Sequence, residues 1–444
     1  MLFSSLEFLY LFLPIAVGGY FLCPRRLKNL WLFGVSLFFY AFGEPLYVFL
    51  MLFTVLCDYL FGLWVEKRRS RGLLFFAVAF NLGLLGFFKY FGLLASLFGL
   101  PDPNIPLPIG ISFYTFQALS YVIDVYRGSV RAERSFVSFG AYVSLFPQLI
   151  AGPIVKYSDV AAELKERRHS FGDIAEGIGR FCVGLAKKVL LANGAGALSE
   201  EFFSSGNALA VLFGLVFYAL QIYYDFSGYS DMAIGLGRIF GFHFPENFNY
   251  PYISESITEF WRRWHMTLSS WFREYVYIPL GGNRRGRLIT CLNLLAVWSL
   301  TGLWHGAAWN FLLWGLYFFV ILVIEKHFLL KRLSNAPRLL RHAYAVTLIL
   351  AGWLIFAADG LPADLLSTLV SSPLWDGRTL YILLRNIPYL LIMLIGVTPL
   401  PKQLFNRLRT LRPYLRNILS LASLFLSTAY LTSSAYNPFL YFRF

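Results

Sequence analysis

Long apolar runs alternate with short polar joints along the chain. Runs of helical length recur at 1–20, 30–42, 46–65, 73–88, 181–191, 209–224, 288–304, 309–324, 343–357, 380–397 and 418–431. A helix needs roughly 20 apolar residues to cross the hydrocarbon core and most of these runs come near that length, so the pattern predicts an all-α polytopic membrane protein of about ten or eleven spans. Segments of a transmembrane barrel would be shorter and alternate in polarity, which excludes that architecture. The spans use up most of the 444 residues and leave no room for a separate soluble domain, so 1–444 reads as one membrane domain.

Two stretches break the helical pattern. Pro101, Pro103, Pro106 and Pro108 remove backbone donors and hold the chain extended. Around Phe146-Pro147-Gln148-Leu149-Ile150-Ala151-Gly152-Pro153, an apolar piece is interrupted by proline and glycine. Irregular backbone at membrane depth is tolerated only where it is buried in protein or lines a cavity, so both stretches are expected to be broken or re-entrant segments beside a central pocket. Residues 156–180 are polar and charged, the pattern of an amphipathic surface helix with a turn near Gly172, with a solvated connector as the alternative. The first run has no basic residue ahead of it and no small-residue cleavage site, while Arg25, Arg26 and Lys28 follow it. It is expected to stay as the first span, with its N-terminus outside the cytoplasm and Arg25 within.

Composition agrees with the pattern: 58% of residues are hydrophobic and 14% charged, far from the balance of a soluble domain. The net charge of +14 collects in joints such as Lys67-Arg68-Arg69-Ser70-Arg71 and the set Lys331, Arg332, Arg338 and Arg341. Basic joints of this kind mark cytoplasmic loops and contact anionic membrane lipids. No basic stripe falls on a soluble fold, so nucleic acid is not an expected partner. Cys23, Cys57, Cys182 and Cys291 lack paired or metal-type spacing and imply neither a disulfide nor a zinc site.

Candidate chemistry concentrates in residues 259–311. His305 closes the apolar run 288–304, in Leu303-Trp304-His305-Gly306-Ala307-Ala308-Trp309. An ionisable group at membrane depth is costly and usually functional. An imidazole can take the proton of a hydroxyl as it attacks an acyl carbonyl, and the small residues after His305 allow close approach; a capped structural histidine is the alternative. His265 ends Phe260-Trp261-Arg262-Arg263-Trp264-His265, whose arginines and tryptophans suit an interfacial helix. Here an interfacial anchor and a part in the reaction are both open. Neither histidine has an H-x-x-x-H neighbour or a close cysteine, so no metal site is expected.

Asp225 and Asp231, in Tyr224-Asp225-Phe226-Ser227-Gly228-Tyr229-Ser230-Asp231, fall on different helix faces. One could orient a histidine or pair with an arginine such as Arg262, or both could be buried carboxylates that hold helices together. Lys187-Lys188 could meet a phosphate on an acyl donor or anchor the cytoplasmic side. Ser227 is not in a G-x-S-x-G elbow, and no serine hydrolase is expected.

Five blocks carry a family resemblance: Pro108-Ile109-Gly110-Ile111-Ser112-Phe113-Tyr114-Thr115-Phe116-Gln117, the 146–153 block, the 224–233 block, Phe260-Trp261-Arg262-Arg263-Trp264-His265-Met266-Thr267-Leu268-Ser269 and Leu303-Trp304-His305-Gly306. The chain resembles the membrane-bound O-acyltransferase superfamily, in its bacterial branch of alginate O-acetylation and teichoic acid D-alanyl transfer. Tyr277-Ile278-Pro279-Leu280-Gly281-Gly282-Asn283-Arg284 and the ending Tyr441-Phe442-Arg443-Phe444 resemble the alginate type.

The resemblance implies a membrane-spanning tunnel with His305 as catalytic residue and His265 as its partner. Asp225, Asp231, Tyr224, Ser227, Trp304, Arg262 and Arg263 are the expected tunnel support, and Lys187 and Lys188 the weaker donor contacts. It further implies an acetyl group passing from a cytoplasmic donor such as acetyl-CoA to an extracytoplasmic polysaccharide. A partner acetyltransferase, of SGNH type or another, is expected outside, and the location is the bacterial inner membrane. His305 as general base and a transient acyl-histidine are both compatible chemistries. A transporter or channel-like subunit of polysaccharide export, and a teichoic acid D-alanyl or lipid acyltransferase, are the alternatives.

Overall fold

The computed structural model describes residues 1–101, 105–357, 365–408 and 411–433. Pro103 and the closing Tyr441-Phe442-Arg443-Phe444 lie outside them. The regular structure among the described residues is helical. Eight helices there are long and apolar enough to cross a membrane, against the ten or eleven counted from the sequence. The runs at 1–20 and 30–42 form helices of lesser length, with Lys28–Gly43 at 16 residues. The last, Arg412–Ser433, is diluted by serine, threonine and arginine. The run at 181–191 belongs to a helix three times as long as expected, Phe171–Phe203 at 33 residues, whose middle turn at Lys187–Ala192 is π-helical. The break in the polar segment falls at 166–170, just before the expected turn at Gly172.

The chain forms two compact units that interleave in sequence. The first holds Met1–Leu185 and Tyr229–Glu246. Its core is a cluster of tilted and edge-on rings from Phe3, Phe8, Phe39 and Phe146. The 146–153 block is broken as expected: a single turn, Phe146–Leu149, runs into irregular backbone that is buried through Val155. Gly110 has φ +77°, and a Cβ there would lie 2.4 Å from the carbonyl oxygen of Leu149, so only glycine fits where these two segments touch. Polar side chains in this unit pair across helices. Asn81 donates to Asp58 at 2.6 Å, and Arg180 meets Asp231 at 2.9 Å while also engaging Glu246.

The second unit holds Ala186–Gly228 and Asn247–Phe444. Its centre is an antiparallel helix pair, Gly286–His305 and Trp309–Ile324, joined by a three-residue link. Gly302 and Gly315 let these helices approach backbone to backbone. A Cβ at Gly302 would lie 2.4 Å from the carbonyl oxygen of Phe311, and one at Gly315 only 2.3 Å from that of Trp298. Small residues at a contact are how membrane helices gain close packing. Gly315→Ala is therefore expected to force the pair apart and cost about 1–3 kcal/mol, the range of an overpacked core. Thermal unfolding in detergent checks this beside Gly34→Ala, where a Cβ meets nothing within 4 Å and no loss is expected.

Candidate active site

His265 sits between two short helices, Ile257–Arg263 and Met266–Phe272. The first begins on a sequence signal, Ser256-x-x-Glu259: the Ser256 hydroxyl accepts the Glu259 N–H at 3.1 Å. The Glu259 carboxylate in turn accepts the Glu255 N–H at 2.9 Å and pairs with Arg263. The buried Glu325 carboxylate accepts the N–H groups of Ile257 and Thr258, each at 2.7 Å, so an anion holds the positive end of the helix. The helix stops at Trp264, and His265 then adopts φ +42°, ψ +55°, a left-handed conformation uncommon outside glycine. That kink turns the imidazole inward, where it is only 2% exposed.

The His265 ring has a defined hydrogen-bond state. Its Nδ1 lies 2.9 Å from Oδ1 of Asn247, and the same oxygen accepts the Thr267 hydroxyl at 2.9 Å. The Thr267 main-chain N–H, which can only donate, also points at it from 3.4 Å. An atom surrounded by donors is an acceptor, so Nδ1 carries the proton and Nε2 carries the lone pair. Nε2 makes no hydrogen bond among the described residues. Phe226 stands edge-on to the ring at 4.7 Å. Burial, reinforced by His305, holds the imidazole well below its ordinary value of 6.5, so it is neutral at physiological pH.

His305 is the last residue of its helix and is half-buried. Trp304, Trp314 and Phe356 surround its ring at centroid distances of 5.1, 5.1 and 5.3 Å. Gly306 has extended backbone; glycine is required there because a Cβ would meet the Phe311 ring at 2.2 Å. Asn310 donates to the Phe356 carbonyl at 2.9 Å and ties the link to the helix Arg338–Phe356.

His265 and His305 line one cavity of about 250 Å³. Its wall includes the apolar groups Trp261, Trp264, Trp298 and Leu268, and the cations Arg262 and Arg273, but no aspartate or glutamate among the described residues. Arg262 and Arg273 form no ion pair among the described residues, whereas their neighbour Arg263 is bound to Glu259. The cavity can hold a small acyl group between two imidazoles, with positive charge for an anionic ligand.

Of the residues singled out in the sequence, the cavity gathers His305, His265 and Arg262. Trp304 touches both histidine rings, at 6.0 and 5.1 Å, from behind. Tyr224 is buried and donates to the Met393 carbonyl at 2.6 Å; Ser227 is buried on the same helix, Ala208–Ile239. Asp225 pairs with Lys188 at 2.9 Å, and Asp231 pairs with Arg180 within the first unit. Lys188 is 2% exposed inside a spanning helix, so it is not a surface anchor, and Lys187 stands 6.0 Å over the Tyr223 ring. Asn247, Glu325 and Arg273 are the site residues that sequence reasoning passed over. Glu325 had a signal, an acid directly after the apolar run 309–324.

Fold and cavity together define a multi-pass membrane protein with a histidine-lined acyl-sized pocket. Residues 129–358 match the MBOAT, membrane-bound O-acyltransferase family, and the chain belongs to that family; it is an acyltransferase. It is 43% identical over 378 residues to a "Probable alginate O-acetylase AlgI" of Azotobacter vinelandii, covering 81% of this chain and 76% of that one. It is 35% identical over 413 residues to a peptidoglycan O-acetyltransferase of Helicobacter pylori, with 82% and 78% covered. Likeness to a teichoic acid D-alanyltransferase of Bacillus subtilis is lower, 27% over 244 residues, with 51% and 61% covered.

Proposed function

We propose that this chain is a membrane O-acetyltransferase that takes acetyl from a cytoplasmic thioester such as acetyl-CoA and delivers it to hydroxyl groups of an extracytoplasmic polysaccharide in the bacterial inner membrane. The observation that carries this reading is the shared cavity: two imidazoles, an apolar wall and two arginines without an acidic partner among the described residues. The relatives named as O-acetylating enzymes support acetyl over D-alanyl as the group moved. An extracytoplasmic partner transferase of SGNH type is the expected final carrier to the polymer.

In the reaction, His305 takes the proton of the attacking hydroxyl as its oxygen bonds to the thioester carbonyl. The tetrahedral intermediate collapses with loss of the thiolate, which recovers the proton. Net, one ester forms, one thioester breaks and no oxidant is needed. The phosphates of the donor are assigned to Arg262 and Arg273, in place of the lysines expected from the sequence, because Lys188 is engaged in a buried pair.

The test is transfer of radiolabelled acetyl by the purified protein in vesicles. From acetyl-CoA, Arg262→Gln with Arg273→Gln should raise KM by roughly tenfold to about 150-fold, the loss of about 1.5–3 kcal/mol of charge-assisted contact. With S-acetyl-N-acetylcysteamine, a thioester without phosphate, the same variant should match wild type. Equal KM values for acetyl-CoA would remove the arginines from the donor site, and no transfer from any acetyl thioester would remove the acetyl-donor reading itself.

A further inference from the structure

Asn247 lies in the loop after the helix Ala208–Ile239, is 1% exposed, and has no part in the reading above. Its carbonyl oxygen collects three donors from the turn that carries His265: the ring Nδ1–H, the Thr267 hydroxyl and the Thr267 N–H. Its main-chain oxygen accepts the Met266 N–H at 2.9 Å. One asparagine thus holds both the left-handed backbone at His265 and the orientation of the ring.

We infer that Asn247 is a positioning residue that fixes His265 as the Nδ1–H tautomer and so makes Nε2 the proton-accepting atom that this histidine offers to the cavity. An amide does this without charge. A carboxylate in the same place would stabilise an imidazolium and occupy the lone pair with a proton; the amide keeps the ring neutral and its acceptor open. The two histidines then rest without both being charged, and together take one proton on hydroxyl attack and return it to the departing thiolate. This assignment rests on the acetyl-transfer reading for its chemistry but not for its structural content.

The charged and titratable groups around His265 among the described residues come from several elements. His305 faces it from the helix Gly286–His305, Arg262 from Ile257–Arg263, and Arg273 and Tyr277 from the turn Arg273–Tyr277. The helix Ala208–Ile239 presents Phe226, and its Asp225 is held by Lys188.

Asn247→Asp and Asn247→Leu separate positioning from packing. The aspartate variant keeps the acceptor, so transfer at pH 8 should stay within about tenfold of wild type while the acid limb of its pH profile moves up by about one unit or more. The leucine variant has no acceptor and should lose about a hundredfold in kcat, with donor KM little changed. A role in packing alone would lower both variants without moving the pH midpoint, and that result, or full activity in Asn247→Leu, overturns the assignment. Unfolding temperature against pH gives a readout independent of acyl transfer. Wild type, with a depressed His265, should lose stability as pH falls below 6.5, because the unfolded chain then binds a proton that the folded one does not. Asn247→Asp should lose less over the same window. Parallel curves would overturn the inference even if no acetyl donor is ever found, and an inactive wild type with divergent curves would fault the acetyl-donor reading alone.

Discussion

His305→Ala should abolish acetyl transfer while leaving the protein inserted and folded. A positioned base is worth about 10²–10⁴ in rate, and loss of a covalent carrier would cost more, so activity in this variant should fall to the background of the assay. The fold should survive because His305 is half-buried at the end of its helix, where its ring packs among the aromatic edges of Trp304, Trp314 and Phe356. Alanine removes this ring packing and leaves the backbone of the helix end unchanged. The measurement is labelled acetyl delivered from acetyl-CoA at matched protein level, with monodispersity and unfolding temperature recorded beside it. Label that stays on wild-type protein without an acceptor, and is absent from the variant, would select the acyl-histidine route over the general base. Wild-type-like transfer would end the assignment of His305.

The large features of this molecule were legible because each follows from local composition. The spans appear as apolar runs, the break at 146–153 from its proline and glycine, and His305 because an ionisable group is rare at the end of such a run. What could not be read are the pairings made at long sequence separation. Lys188 looks from its neighbours like a basic joint, and only the fold reveals a π-helical turn within a longer helix that delivers it to Asp225. Asn247 stands in an ordinary polar loop, and its importance comes from a contact 18 positions away. Arg262 and Arg263 are adjacent and alike in sequence. Spacing separates them: Glu259 reaches Arg263 at i+4, and Arg262 is left for the cavity.

Breaking the Lys188–Asp225 pair from one side should be the most destabilising change in the second unit. Both side chains are nearly inaccessible, 2% and 4% exposed, and the lysine Nζ lies 2.9 Å from the carboxylate and 2.9 Å from Oδ1 of Asn193. Removal of one member leaves the other buried without the opposite charge 2.9 Å away, a cost of about 3–5 kcal/mol. Asp225→Leu and Lys188→Met are therefore each expected to express poorly or unfold many degrees below wild type. The double variant removes both charges and keeps the volume, so it should recover most of the loss, since replacement of a whole buried pair by apolar groups is often neutral. The comparison also assigns a role. Tyr224 and Phe226 flank Asp225, and Phe226 packs on His265, so a stable double variant that still transfers acetyl would make the pair a brace that sets the helix against the site. A stable double variant without activity would return Asp225 or Lys188 to the chemistry.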